Sequence, residues 1–268
     1  MAEWSRTVSW RQGHLLPDEA LNALDLRSVF GSTAIAIVIS HSCDLAQNPA
    51  KEPNVEIIIG RSISECDGNY LNAKNSRTLH IGIADKLYIE LIARNKNLIP
   101  KETLVNFEPQ MDLTFTENEK TVFQSWLAAR YRRSEFSDDF QAQMSETGLD
   151  SKIKSLMRKP AHGKAIRAIL FSLKDDFPRN AEKEPYLLGI VLLYDTTRGF
   201  REAEETASLV KEEIISFTLK KPTIVIQEID CFSDGSFTVA QMDLYKKWNL
   251  DEISLADPTQ PILAADSC

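Results

Sequence analysis

The sequence predicts an α+β fold. Three observations point to it: short, continuous apolar runs rich in Ile and Val before residue 116, helix-cap signals just after it, and further apolar runs around one amphipathic segment beyond residue 165. On these grounds the chain is expected to divide into a mainly-β, barrel-like part at 1–115, a helical connection at 116–164, and a sandwich-like α/β part at 165–268. At 268 residues the chain exceeds the usual domain length of roughly 100 to 200, which agrees with a division into unequal parts.

The runs Ala34-Ile-Ala-Ile-Val-Ile-Ser40 and Val55-Glu-Ile-Ile-Ile-Gly60 are β-branched and uninterrupted, as buried strands are. Between them a polar loop is closed by Pro49 and Pro53. Leu87 to Ile92 reads as another strand, and Met111 to Phe115 as one with alternating character, so a small barrel or rolled sheet is expected. Thr116-Glu-Asn-Glu119 has the form of a capping box, and Val122, Phe123, Trp126, Leu127 and Tyr131 follow at helical spacing to an end near Arg133. A second helix starts at Ser137, where Asp138 and Asp139 complement the positive end of the helix dipole. Lys152 to Lys164, basic and containing Gly163, reads as the connection between the two parts.

Ala165 to Leu173 and Tyr186 to Tyr194 read as strands, the second apolar enough to be central in its sheet. From Arg201 to Lys220 the residues Ala203, Ala207, Val210, Ile214 and Phe217 form one stripe of an amphipathic helix. Thr223 to Ile229 returns as a strand, and Asp234-Gly235 before Ser236-Phe-Thr-Val-Ala240 signals a hairpin. The resulting β-β-α-β-β order predicts a sheet with a helix on one face.

Composition narrows the function classes. A net charge of −8 repels nucleic acid and anionic membrane unless basic residues gather locally, so nucleic acid is not a favoured partner. No segment reaches the ~20 apolar residues of a membrane span, and the start of the chain lacks the apolar core of a signal peptide. The cysteines Cys43, Cys66, Cys231 and Cys268 are far apart without a CxxC pair, as expected of reduced thiols in the cytoplasm.

Ser40-His-Ser-Cys-Asp44 is the most informative run, because potential acid, base, nucleophile and metal-ligand groups meet where a strand ends. In extended geometry His41 and Cys43 share a face, and a neighbouring imidazole lowers a thiol pKa. The alternative is that Cys43 is packing and Asp44 caps the turn. His80 is a further candidate metal ligand with His41 and Cys43, but no ligand pair has diagnostic spacing; no metal is assigned, and no cofactor either. Lys74, Asn75, Arg77 and His80 lie on one stretch with the cations and amides of an anion-binding loop, whose ordinary counterpart is a solvated loop. Arg130 and Arg132, with Arg133, end the capped helix, where cations belong in any case. Folded to one side, these two basic clusters would make a nucleic-acid patch. Asp195-Thr-Thr-Arg198 follows a central strand, without GxGxxG or P-loop.

Trp10-Arg-Gln-Gly13 followed by Ile39-Ser-His-Ser-Cys-Asp-Leu45, with the strand Glu56 to Ile59, resembles a group of bacterial proteins carrying an S/T-x-x-C-D-L/I motif. That resemblance implies no established activity. The N-terminal part also has an architectural likeness to MazF/PemK-type toxins, small RNA-cleaving barrels. Those are shorter, have a basic RNA face and lack a His-x-Cys-Asp run, so neither Ser40 nor Arg77 takes their catalytic roles here.

Three readings follow. One is a ligand or catalytic site, with Cys43 as nucleophile or ligand, His41 as base and Asp44 or Arg77 orienting. The second is an interaction component, part of a bacterial defence or mobile-element system, presenting a helix or hairpin to a protein partner. The third is an RNA-binding or RNA-cleaving protein of toxin-like architecture.

Overall fold

The computed structural model describes residues 3–84, 87–129, 131, 136–173, 185–219 and 224–251. In chain order the elements are α1 (Asp18–Ala23), β1 (Ala34–Val38), α2 (Ser42–Leu45), β2 (Asn54–Ile63), a 3-10 segment (Gly68–Ala73), β3 (Thr78–Ala84), β4 (Leu87–Pro100), α3 (Lys101–Leu104), α4 (Glu117–Ala129), α5 (Asp138–Glu146), α6 (Leu149–Arg158), α7 (Pro160–Ala165), β5 (Ile166–Leu173), β6 (Tyr186–Tyr194), α8 (Phe200–Thr218), β7 (Ile224–Ser233), α9 (Val239–Met242) and β8 (Lys246–Lys247). The fold is α+β, with two four-stranded sheets.

The first sheet is antiparallel, in the order β1-β2-β4-β3, with Ile37 opposite Ile58 and Leu79 opposite Leu91. Its uninterrupted apolar runs reflect burial on both faces. Ala36, Val38, Val55, Ile57 and Ile59 pack with Trp4, Trp10 and Leu21 on one side, while Ile37, Ile58, Leu79 and Leu91 pack with Phe123 and Trp126 of α4 on the other. The expected barrel is therefore corrected to a covered open sheet, with β1 and β3 as its edges among the described residues. A barrel closes only when its first and last strands pair, and among the described residues β1 and β3 do not pair with each other. Met111 to Phe115 forms no strand. Gln110 alone bridges to Leu15, and Leu113 and Phe115 are partly buried against the α4 side of the sheet.

Both predicted helix starts hold. The Thr116 amide donates to the Glu119 carboxylate at 2.9 Å, and Ser137 Oγ accepts from the Phe140 amide at 3.4 Å. The segment 152–164 is helical, falling in α6 and α7. Ile153, Leu156 and Met157 explain this, since they present a buried apolar stripe to the second sheet.

That second sheet runs β7-β6-β5-β8; β6 and β7 are parallel and α8 connects them. Phe140, Ile153, Phe171, Ile190, Val210, Ile214 and Trp248 fill the core between it and α5, α6 and α8. The β-β-α-β-β order is present, but its last strand is Lys246–Lys247, paired with Leu170 and Phe171, not Ser236 to Ala240. A stronger local device wins at that point: Thr238 and Gln241 form a capping box that starts α9.

Candidate functional site

The run from Ser40 to Leu45 is a braced knuckle at the end of β1. Ser40 Oγ accepts from the Glu56 amide at 2.8 Å, tying the strand end to β2. The chain then turns into α2 with His41 as its N-cap, and the Cys43 amide donates to His41 Nδ1 at 3.3 Å. Beneath it, Trp4 Nε1 donates to the Leu45 carbonyl at 2.8 Å. Fully buried Lys101 sends its ammonium to the carbonyls of Asp44 at 2.7 Å and Gln47 at 3.0 Å, at the negative end of the short helix. Burial pushes the Lys101 pKa down, against the opposing pull of Glu52 and Asp44. The Trp10-Arg-Gln-Gly13 run belongs to the same unit: Gln12 Nε2 donates to the Ile39 carbonyl at 2.8 Å, and the Gly13 amide to that of Val38 at 2.8 Å.

His41, Cys43 and Asp44 are all exposed on this knuckle. The expectation that His41 and Cys43 share one face of an extended strand is corrected, because Ser42–Leu45 is helical and the His41 imidazole turns to the Cys43 amide. Among the described residues no three His, Cys, Asp or Glu side chains are grouped to hold a metal ion, so His80 does not complete a set with His41 and Cys43.

The Lys74 to His80 stretch is assigned differently from the open anion loop expected of it. It latches the two halves of the molecule together. Lys74 is 1% exposed, and its Nζ donates to the carbonyls of Gly163 at 2.6 Å and Ile166 at 2.9 Å. Buried Asn75 donates to the Leu250 carbonyl at 2.9 Å and accepts from the amides of Arg77 and Thr78; Ser76 bonds both carboxylate oxygens of Asp251. Ala73 sits in the left-handed region at φ 52°, and Lys247 Nζ holds its carbonyl at 2.8 Å. Such a conformation costs roughly 1–2 kcal/mol outside glycine, so tertiary contacts must enforce it. His80 is buried, accepting from the Asp67 amide at 3.0 Å and facing the Glu90 carboxylate at 3.2 Å; burial lowers its pKa, with Glu90 and Asp67 opposing. Arg77 alone of the predicted group is exposed. Arg130 and Arg132, like Arg133, lie outside the described residues, and buried Lys74 cannot join them in a surface patch.

A feature that sequence reasoning missed lies on the second sheet. A cleft of about 850 Å³ runs between α8 and β7, lined by Lys211, Ile215, Thr218 and Leu219 on the helix and Ile224 to Asp230 on the strand. Within the described residues β7 pairs with β6 alone, so its other edge carries unpaired backbone groups beside the cleft. Leu219 is 81% exposed and Val225 42%. The strand and the helix were both legible in sequence. That β7 would be an edge was not, because strand order depends on long-range pairing. The available signal was the pair Gln227-Glu228 interrupting an Ile-rich run, where the register slips between Leu188 and Gly189.

Carboxylates lie near this edge: Glu228 and Asp230 on β7 and Glu204 on α8. Burial raises the pKa values of Tyr245, Cys231 and Tyr194, and nearby carboxylates add to each shift: Glu228 and Asp230 at Tyr245, Asp230 and Glu204 at Cys231, Glu204 at Tyr194. At Cys231 the largest single charge effect is the opposing one of Lys211, which lies 3.7 Å from Asp230.

Compared with known proteins, the chain matches no family model, no curated protein and no solved structure.

Proposed function

We propose that this chain is a protein-interaction component whose partner docks an extended segment in the cleft between α8 and β7. The observation that carries the reading is the apolar cleft itself, about 850 Å³ in volume, running beside a strand edge that is unpaired among the described residues. Its position supports the reading physically, because an open edge with an adjacent apolar groove offers both main-chain hydrogen bonds and side-chain pockets to an incoming strand. Exposed Leu219 and Val225 at its rim are the kind of apolar surface that a partner covers.

The test is a photo-crosslinking residue placed at Val225 in cells of the source organism. A defined protein should be joined there, and the crosslink should disappear when Leu219→Asp is added. Equal crosslinking with Leu219→Asp present, or no crosslinked protein at all, defeats the reading.

A second reading, a thiol-based ligand or catalytic site at His41, Cys43 and Asp44, is favoured by one observation: Cys43 is exposed on a turn braced from below by Lys101 and Trp4. It requires the thiol to react selectively. Against it, the His41 ring atom nearest the turn is engaged by the Cys43 amide rather than by the sulfur.

A further inference from the structure

We infer that the segment taken up beside β7 is basic and extended, with cationic and apolar residues alternating, and that it adds to the sheet as a fifth strand; this rests on the interaction reading above.

The argument starts from what the edge offers. A strand lying beside β7 sits about 4.8 Å away and uses the outward-facing amides and carbonyls left by the β6 pairing. Its side chains alternate between the two faces of the sheet. On the α8 side they meet Ile215 and Leu219, which line the cleft together with Ile224 and Ile226 of the strand itself. Apolar residues at alternate positions suit that side.

Charge decides the intervening positions. Glu228 and Asp230 are exposed on β7. Lys211 is the one cation lining the cleft among the described residues. Lys or Arg on the incoming strand therefore finds carboxylates opposite it, and cross-strand pairs of opposite charge each contribute roughly 0.2–1 kcal/mol.

The same charges work against a second copy of this chain pairing about Ile229. Two β7 strands pairing antiparallel about Ile229 would set Glu228 of each against Asp230 of the other, which is a destabilising like-charge arrangement. The register slip around Gln227 further interrupts a flat self-pairing edge. An edge that repels itself while attracting a basic strand is selective for a partner with the opposite pattern.

The experiment uses the full chain and three labelled eight-residue peptides: alternating Lys and Val, alternating Glu and Val, and the Lys/Val peptide N-methylated at every second amide. Fluorescence anisotropy reads binding, and amide hydrogen exchange locates it. The Lys/Val peptide should bind and slow exchange in β7. Glu228→Lys with Asp230→Lys, both at exposed positions, should weaken it about ten-fold, the equivalent of ~1.4 kcal/mol. The Glu/Val peptide should not bind, and N-methylation on the pairing edge should abolish binding. Equal binding of both charge types overturns the basic specificity, and undiminished binding of the N-methylated peptide overturns strand addition. If no peptide slows exchange in β7 while Leu219→Asp still abolishes the Val225 crosslink, the basic strand falls and the interaction reading stands. If Leu219→Asp leaves the crosslink intact, the interaction reading falls as well.

Discussion

Gly163→Ala tests the latch between the two halves of the molecule. A Cβ at position 163 would lie 2.2 Å from the Cα of Gly68 and 2.6 Å from its carbonyl oxygen, and both obstacles are backbone. Reaching an ordinary contact of 3.4 Å requires the 3-10 segment and α7 to part by about 1.2 Å. The Lys74 bonds to Gly163 and Ile166, 2.6 and 2.9 Å long, would then be stretched beyond hydrogen-bonding distance. Hydrogen bonds to a charged group contribute about 1.5–3 kcal/mol each, and Lys74 would stay buried without them. The expected loss is about 3–5 kcal/mol, a large share of a typical stability of 5–15 kcal/mol. Urea unfolding followed by both tryptophan fluorescence and far-UV circular dichroism is the assay. Trp4, Trp10 and Trp126 report on the first sheet and its surroundings, Trp248 on the second. The wild type should unfold in one coincident transition, and the variant at lower urea with the two probes separated. A midpoint within about 0.5 kcal/mol of wild type, with coincident probes, would refute the idea that this backbone approach joins the halves.

Further expectations follow from the same contacts. Lys101→Met removes the cation beneath α2 and should lower stability by about 1–3 kcal/mol while speeding alkylation of Cys43; unchanged alkylation would show that the turn holds without it. Among Cys43, Cys66 and Cys231, iodoacetamide should modify Cys43 first, since Cys66 is buried and burial raises the thiol pKa of Cys231; peptide-level mass spectrometry showing Cys66 first would contradict the placement of the knuckle. Lys247 has its pKa lowered from 10.5 to about 8, chiefly by burial, so between pH 8 and 10 the folded state releases a proton that the unfolded chain keeps. Stability relative to Lys247→Met should therefore rise with pH across that window, by at most ~1.4 kcal/mol per pH unit, and a flat or falling difference in urea midpoint would refute the burial of this amine.

Much of the fold was legible because its signals are local. The Ile-Val runs at 34–40 and 55–60 became strands since their burial on two faces is written as continuous apolarity, and Thr116 with Glu119 marked a helix start through two hydrogen bonds three residues apart. Trp10 to Gly13 and Ser40 to Leu45, the paired motifs of the resemblance, lie in contact through Gln12. What stayed hidden depends on partners far along the chain. Lys74 carries the composition of an anion-binding loop, and only the folded chain brings it to Gly163 and Ile166. Lys101 likewise looks like a solvated cation until β4 delivers it beneath Asp44. Ser236 to Ala240 misled for the opposite reason: Asp234-Gly235 is a turn signal, but the Thr238–Gln241 capping box directly after it is a stronger local one and commits the chain to α9. The α8–β7 cleft was hidden because strand order rests on distant pairing, and the only local hint that β7 is an edge is Gln227-Glu228 interrupting an Ile-rich run.

The most direct test of the central claim is affinity purification of the full-length chain from its source cells, wild type beside Leu219→Asp/Val225→Asp, after confirming equal thermal stability of the two. Both substitutions fall on exposed residues at the rim of the cleft. The account predicts a defined protein retained in stoichiometric amount by the wild type and absent from the double variant. The same proteins retained by both, or none retained by either, would contradict it.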